Sequence, residues 1–93
     1  MNDRSKWFVD TAWLAERLDD PSVVIVDGSW HLPTMGRSGR GEYDAQHIPG
    51  AVFFDIDAVA DTSNPLPHML PSPDVFADAA GALGIAEDST IVI

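Results

Sequence analysis

Residues 43–55 read YDAQHIPGAVFFD. Charged and polar side chains run as far as His47, a Pro49–Gly50 pair follows, and Ala51 to Phe54 carry no polar side chain. Pro49 pushes Ile48 out of helical geometry towards an extended backbone. Gly50 admits a tight turn. The spacing predicts a short helix over 42–47, an abrupt turn, and a buried strand over 51–54. The switch is read as packing: it carries the chain from a surface helix into a central strand. His47 fits as a helix-terminal imidazole, whose partial positive charge suits the local dipole.

On the N-terminal side, VVIVD (23–27) is β-branched and apolar on both parities. Such a run suits a strand covered on both faces in a parallel sheet. Before it, Asp10 caps TAWLAERLDD and Pro21 closes it, with Leu14 and Leu18 as the apolar pair. A helix over about 11–19 is predicted. Residues 31–41, with His31, Pro33, Gly36, Gly39 and Gly41, read as a loop.

On the C-terminal side, residues 55–72 read as a long irregular loop. Pro65, Pro67 and Pro71 cannot donate backbone hydrogen bonds. Leu66, Met69 and Leu70 are too apolar for a disordered segment, and long loops in compact domains are often functional. Ser72 followed by Pro73 starts a helix. Val75, Phe76, Ala79, Ala80 and Leu83 line one face, and Gly84 stops it. TIVI (90–93) reads as a third buried strand. The alternation of strands and helices implies an α/β fold with parallel strands. The last strand lacks the crossover helix that should cover it, so the sheet is expected to be incomplete at the C-terminus. Its exposed apolar faces and open edge are expected to make the isolated chain unstable and prone to aggregate.

Composition narrows the function. The 93 residues allow one small domain, and 45% of them are hydrophobic. The net charge is −10, with Arg4, Lys6, Arg17, Arg37 and Arg40 as the cations. A nucleic-acid binder needs a basic face, so nucleic acid and anionic membrane are excluded as main partners. There is no cysteine, which removes disulfides, thiolate metal sites and a thiol nucleophile from this chain. The N-terminus lacks the apolar core of a signal peptide, and no apolar run approaches the roughly 20 residues of a membrane span. A soluble, cytoplasmic protein is expected.

The individual polar residues divide as follows. Asp55 and Asp57 alternate at a predicted strand end and so point to opposite faces, which argues against a shared metal. His31, His47 and His68 lack ligand spacing, and no metal or cofactor is expected. GRSGRG (36–41) follows a loop and lacks the Lys-Ser/Thr pair of a phosphate loop. Asp27 is read as tying down the loop after its strand or pairing a neighbouring arginine. Trp30 is read as packing between layers. Arg37 and Arg40 could meet an anionic substrate or simply offset local acid.

Tyr43-x-x-x-His47-Ile48-Pro49-Gly50-Ala51-x-x-Phe54 resembles a signature of the rhodanese-family sulfurtransferases. VIVDGSWHLP (24–33), GRSGRGEYDAQHIPGAVFFDID (36–57) and PLPHMLPSPDVFADAAGALGI (65–85) resemble the N-terminal half of the two-domain type, in order and over nearly the whole chain. The resemblance implies a parallel sheet flanked by helices, occurring twice, with the active site between the copies. Residues 1–93 would be a partial N-terminal rhodanese domain, packed against a second domain absent from this sequence. A cysteine of that second copy would take sulfane sulfur from 3-mercaptopyruvate or thiosulfate. Its persulfide would hand the sulfur to a thiophilic acceptor such as cyanide or a thiol. Lacking that cysteine, this chain alone is expected to be inactive. The resemblance also assigns Asp57 and His68 to a proton relay facing the cleft. A histidine at position 68 favours mercaptopyruvate as donor, because the thiosulfate type carries an apolar residue there. The alternative is a non-catalytic rhodanese-like interaction module, which should end as a complete, covered sheet.

Overall fold

The computed structural model describes residues 7–93. Arg4 and Lys6 lie outside the described residues. Three parallel strands form the sheet: β1 (Val23–Asp27), β2 (Val52–Phe53) and β3 (Thr90–Val92), in the order β2-β1-β3. The first strand is central because it pairs on both edges at different heights. Val23, Val24 and Ile25 align with Thr90, Ile91 and Val92, while Val26 and Asp27 align with Val52 and Phe53. The core is correspondingly small: Ile25 and Val26 of β1, Ala51 at the entry to β2, and Ala80 are buried.

The stretch around Pro49 folds as its chemistry requires. The Ala51 N–H donates to the Ile48 carbonyl at 2.9 Å, with Pro49 and Gly50 at the two central positions and Gly50 at φ 81°. A positive φ at the residue after proline is the mark of a type II turn, and glycine takes it without strain. Tyr43 stacks on His47 and donates its hydroxyl proton to the Ala51 carbonyl, fastening the helix before the turn to the strand after it.

Five helical segments accompany the sheet among the described residues. The helix α1 (Thr11–Ala15) carries the predicted Asp10 cap, whose carboxylate accepts from the Trp13 N–H at 2.8 Å. It stops well short of residue 19. The Arg17 guanidinium takes the Trp13 carbonyl at 2.9 Å and lies over the Trp13 ring, while the Arg17 N–H turns to Leu14 instead. The segment 31–41 is not wholly loop: Pro33–Met35 forms a 3-10 turn closed by Gly36 at φ 63°. The helix α2 (Gly39–Ala45) begins three residues earlier and ends two residues sooner than predicted. Ser38 is the reason, because its hydroxyl accepts from the Gly41 N–H at 3.0 Å and so caps the helix there.

The helix α3 (Ile56–Val59) is one turn inside the stretch expected to be irregular. Asp55 is its N-cap, accepting from the Asp57 and Ala58 N–H groups at 3.1 and 3.3 Å. Asp55 and Asp57 therefore do not sit on a strand end, which replaces the alternation first invoked against a metal site. The helix α4 (Pro73–Ala82) starts at the Ser72 cap as predicted. It ends in a Schellman motif: Gly84 N–H meets Gly81 and Ile85 N–H meets Ala80, with Gly84 at φ 86°.

The third strand meets the expected open edge but not the expected burial. It lies at the sheet edge instead of being buried, with Ile91 47% exposed and Ile93 93% exposed. Val75 and Phe76, predicted to face the core from α4, are likewise half exposed. Periodicity names the apolar face of an element; it does not say what covers that face.

Candidate functional site

Ligand sites in parallel α/β folds gather beyond the C-terminal ends of the strands. That end of β1 continues into Gly28, Ser29 and Trp30. Asp27 orders the exit by accepting from the Ser29 N–H at 2.9 Å. Hydrogen bonding from the Ser29 side chain and backbone holds the Asp27 carboxyl below its ordinary range. This is the loop-fastening role anticipated for Asp27.

Beyond β2, the chain delivers Asp57 in the first turn of α3. The loop that follows is held at its neck by the Asp61 N–H donating to the Met69 carbonyl at 2.9 Å. Inside it, Asp61 accepts from Ser63, and Asn64 accepts from the Leu66 N–H. These local bonds replace the ladder that Pro65 and Pro67 cannot join. Beside the neck, His68 adopts φ 55°, the left-handed region that a side chain enters at a cost of about 1–3 kcal/mol.

That conformation brings His68 to Asp57: Nε2 lies 2.8 Å from Oδ1. The other carboxylate oxygen, Oδ2, accepts from the Trp30 indole N–H at 3.0 Å. The Trp30 and His68 rings meet edge to face with centroids 4.7 Å apart. Three segments far apart in sequence thus converge on one carboxylate. All three side chains line a groove of about 480 Å³, together with His31, Arg37, Arg40 and Phe53 among others. Trp30 is therefore not packing between layers. Its position just past the C-terminal end of β1 was the available signal for a site residue.

The cations beside the groove have partners within the chain. Arg37 grips Glu42 with Nε and Nη2 at 3.0 and 2.7 Å. That pairing, reinforced by His31, holds the Glu42 carboxyl below its ordinary value and raises Arg37 above its own. Arg40 approaches Asp44 at 3.4 Å and lies over the Phe53 ring. His31 Nε2 is 3.4 Å from Glu42 Oε2, a Coulombic contact without hydrogen-bond geometry. Among the described residues no group of three or more His, Cys, Asp or Glu could hold a metal ion.

His47 stands apart. Its Nδ1–H donates to the Tyr43 carbonyl at 2.6 Å, satisfying an orphan carbonyl at the end of α2. It borders a different, mostly apolar hollow with Ile25, Val26, Ile48, Ala51 and Ile93.

No family model matches the chain. The 3-mercaptopyruvate sulfurtransferase of Escherichia coli K12 is 48% identical over 88 residues, which are 94% of this chain and 31% of that protein. The thiosulfate sulfurtransferase of Cricetulus griseus is 44% identical over 89 residues, 91% of this chain and 30% of that protein. The crystal structure of the Escherichia coli 3-mercaptopyruvate sulfotransferase, described as having the rhodanese fold, superimposes with a TM-score of 0.83 at 49% identity. That match covers 91% of this chain and 33% of the other. The chain has the rhodanese fold and is similar over nearly all of its length to 3-mercaptopyruvate sulfurtransferases. It spans about a third of the length of these sulfurtransferase relatives. No helix of the described residues is long and apolar enough to cross a membrane.

Proposed function

We propose that this chain forms one wall of the cleft of a 3-mercaptopyruvate sulfurtransferase, as part of its N-terminal rhodanese domain, with Asp57 and His68 moving protons beside the sulfur donor. The 2.8 Å contact between Asp57 Oδ1 and His68 Nε2 on the groove carries the reading. A carboxylate on one imidazole nitrogen fixes the tautomer and leaves the other nitrogen to take or give a proton. The chain contains no cysteine, so the thiolate comes from elsewhere, in this reading from a second rhodanese domain.

In such a reaction the thiolate attacks the sulfur of 3-mercaptopyruvate and forms the S–S bond of a persulfide. The C–S bond breaks, and its electron pair leaves on carbon as the enolate of pyruvate, which accepts a proton. In this reading His68, which lines the groove beside Asp57, takes part in moving that proton. The persulfide then yields its outer sulfur to a thiophilic acceptor. Mercaptopyruvate is the preferred donor, because its departing carbon needs a proton and thiosulfate's departing sulfite does not.

The test is pyruvate and thiocyanate formation from 3-mercaptopyruvate and cyanide. The 93-residue chain alone should give background rates. In a full-length sulfurtransferase carrying these residues, Asp57→Asn should lower turnover by roughly 10²-fold. Undiminished turnover in that variant would remove the proposed role of the pair.

A further inference from the structure

The carboxylate of Asp57 has two oxygens, and nothing in its own backbone dictates which of them meets His68. The side chain is 64% exposed, so packing does not fix its rotation. Left alone, it could turn in its helix turn and present either oxygen, both, or neither. His68 is no better restrained by its backbone, since it sits in a left-handed conformation in a proline-rich loop. Yet the pair is held at 2.8 Å.

One residue contacts both partners. Trp30 donates its indole N–H to Asp57 Oδ2 at 3.0 Å and sets its ring against the His68 imidazole, 4.7 Å between centroids at an interplanar angle of 84°. It lies three residues past the end of β1, the central strand, whereas Asp57 and His68 belong to a one-turn helix and a loop.

We propose that Trp30 is a positioning residue for the Asp57–His68 pair: its N–H occupies Oδ2, which leaves Oδ1 to accept the imidazole Nε2–H, and its ring blocks imidazole rotation. The consequence is a single tautomer. With Nε2 protonated towards Asp57, Nδ1 carries the free lone pair, and proton exchange with the reacting partner occurs there. An indole suits this task because it is a donor only and cannot offer the imidazole N–H an acceptor that competes with Asp57. Its ring also has the edge-to-face contact that locks an aromatic neighbour. The catalytic consequence rests on the proposed use of the pair in sulfur transfer; the tautomer consequence does not.

The experiment uses a full-length sulfurtransferase carrying these residues, with two changes at position 30. Trp30→Phe keeps an aromatic ring and removes the N–H. Replacement by 3-benzothienylalanine keeps the shape of tryptophan and removes the N–H alone. Imidazole ¹⁵N shifts of His68 report the tautomer, and steady-state kinetics with 3-mercaptopyruvate report the chemistry. The native protein should show His68 protonated at Nε2. Both variants should show a mixture of tautomers, and kcat should fall roughly tenfold with KM little changed, the size of one lost hydrogen bond to a charged group. If the benzothienyl form retains the native tautomer and rate, the positioning role is overturned. If the tautomer shifts while Asp57→Asn leaves turnover intact, positioning stands and the catalytic use of the pair is what fails.

Discussion

Two histidines of this chain, His47 and His68, occupy opposite kinds of surroundings. His47 bonds a carbonyl four residues back and stacks on Tyr43, so every contact that holds it is local to the end of α2. His68 bonds a carboxylate eleven residues away and touches an indole thirty-eight positions distant in the sequence. The first satisfies a helix end and seats a turn. The second is held in a left-handed backbone by partners from two other segments. Local satisfaction marks structure. Convergence of remote polar groups on a groove, at the cost of backbone strain, marks a candidate site.

The largest expected effect separates the two directly. In a full-length sulfurtransferase, His68→Gln should lower turnover by roughly 10²-fold while leaving the melting temperature nearly unchanged. His47→Gln should do the reverse, leaving turnover intact and costing about 0.5–1.5 kcal/mol of stability. Steady-state rates and thermal melts on both variants would check this, and equal losses of rate would dissolve the contrast.

Gly39 gives a sharper and somewhat smaller test of the remote partners. A Cβ there would meet the Ser29 carbonyl oxygen at 2.3 Å, so α2 and the strand exit could not approach as they do. Gly39→Ala should destabilise by about 1–3 kcal/mol, as overpacking does. Because Ser29 precedes Trp30, the indole should shift with it, and turnover should fall although no site residue has changed. Gly39→Ala with full stability and rate would show that the strand exit does not hold the indole in place.

The smallest effect concerns the acid limb. Hydrogen bonding from Arg37 depresses Glu42 in the folded chain, so the stability it contributes is present above the unfolded carboxylate value and is lost as pH falls through the folded one. Glu42→Gln should flatten the decline of stability between neutral and acid pH without abolishing it, since Asp20 and Asp27 are depressed in the same direction. The pair is solvent-exposed, so the change should be small and weaken with salt. Melts across the acid range at two ionic strengths would measure it.

Much of this molecule was legible from residue order. The Pro49–Gly50 turn, the Asp10 and Ser72 caps and the Gly84 stop follow from backbone chemistry that acts within a few residues. The Asp57 and His68 pairing was legible only through family resemblance, since eleven residues of proline-rich loop carry no spacing rule that joins them. Where prediction failed, a side chain competed with the helix ladder: Arg17 shortened α1, Ser38 advanced α2, and Asp55 started α3 inside an expected loop.

The sequence by itself determined the strands, the turn between α2 and β2, the absence of a thiol, and the apolar faces of the helices. Only the tertiary structure decided that β1 is central, that β3 is exposed, and that Trp30 joins the carboxylate instead of packing between layers. The reason is range. Caps and turns are fixed by neighbours along the chain, while strand order and the meeting of Trp30, Asp57 and His68 depend on which surfaces the folded chain brings together.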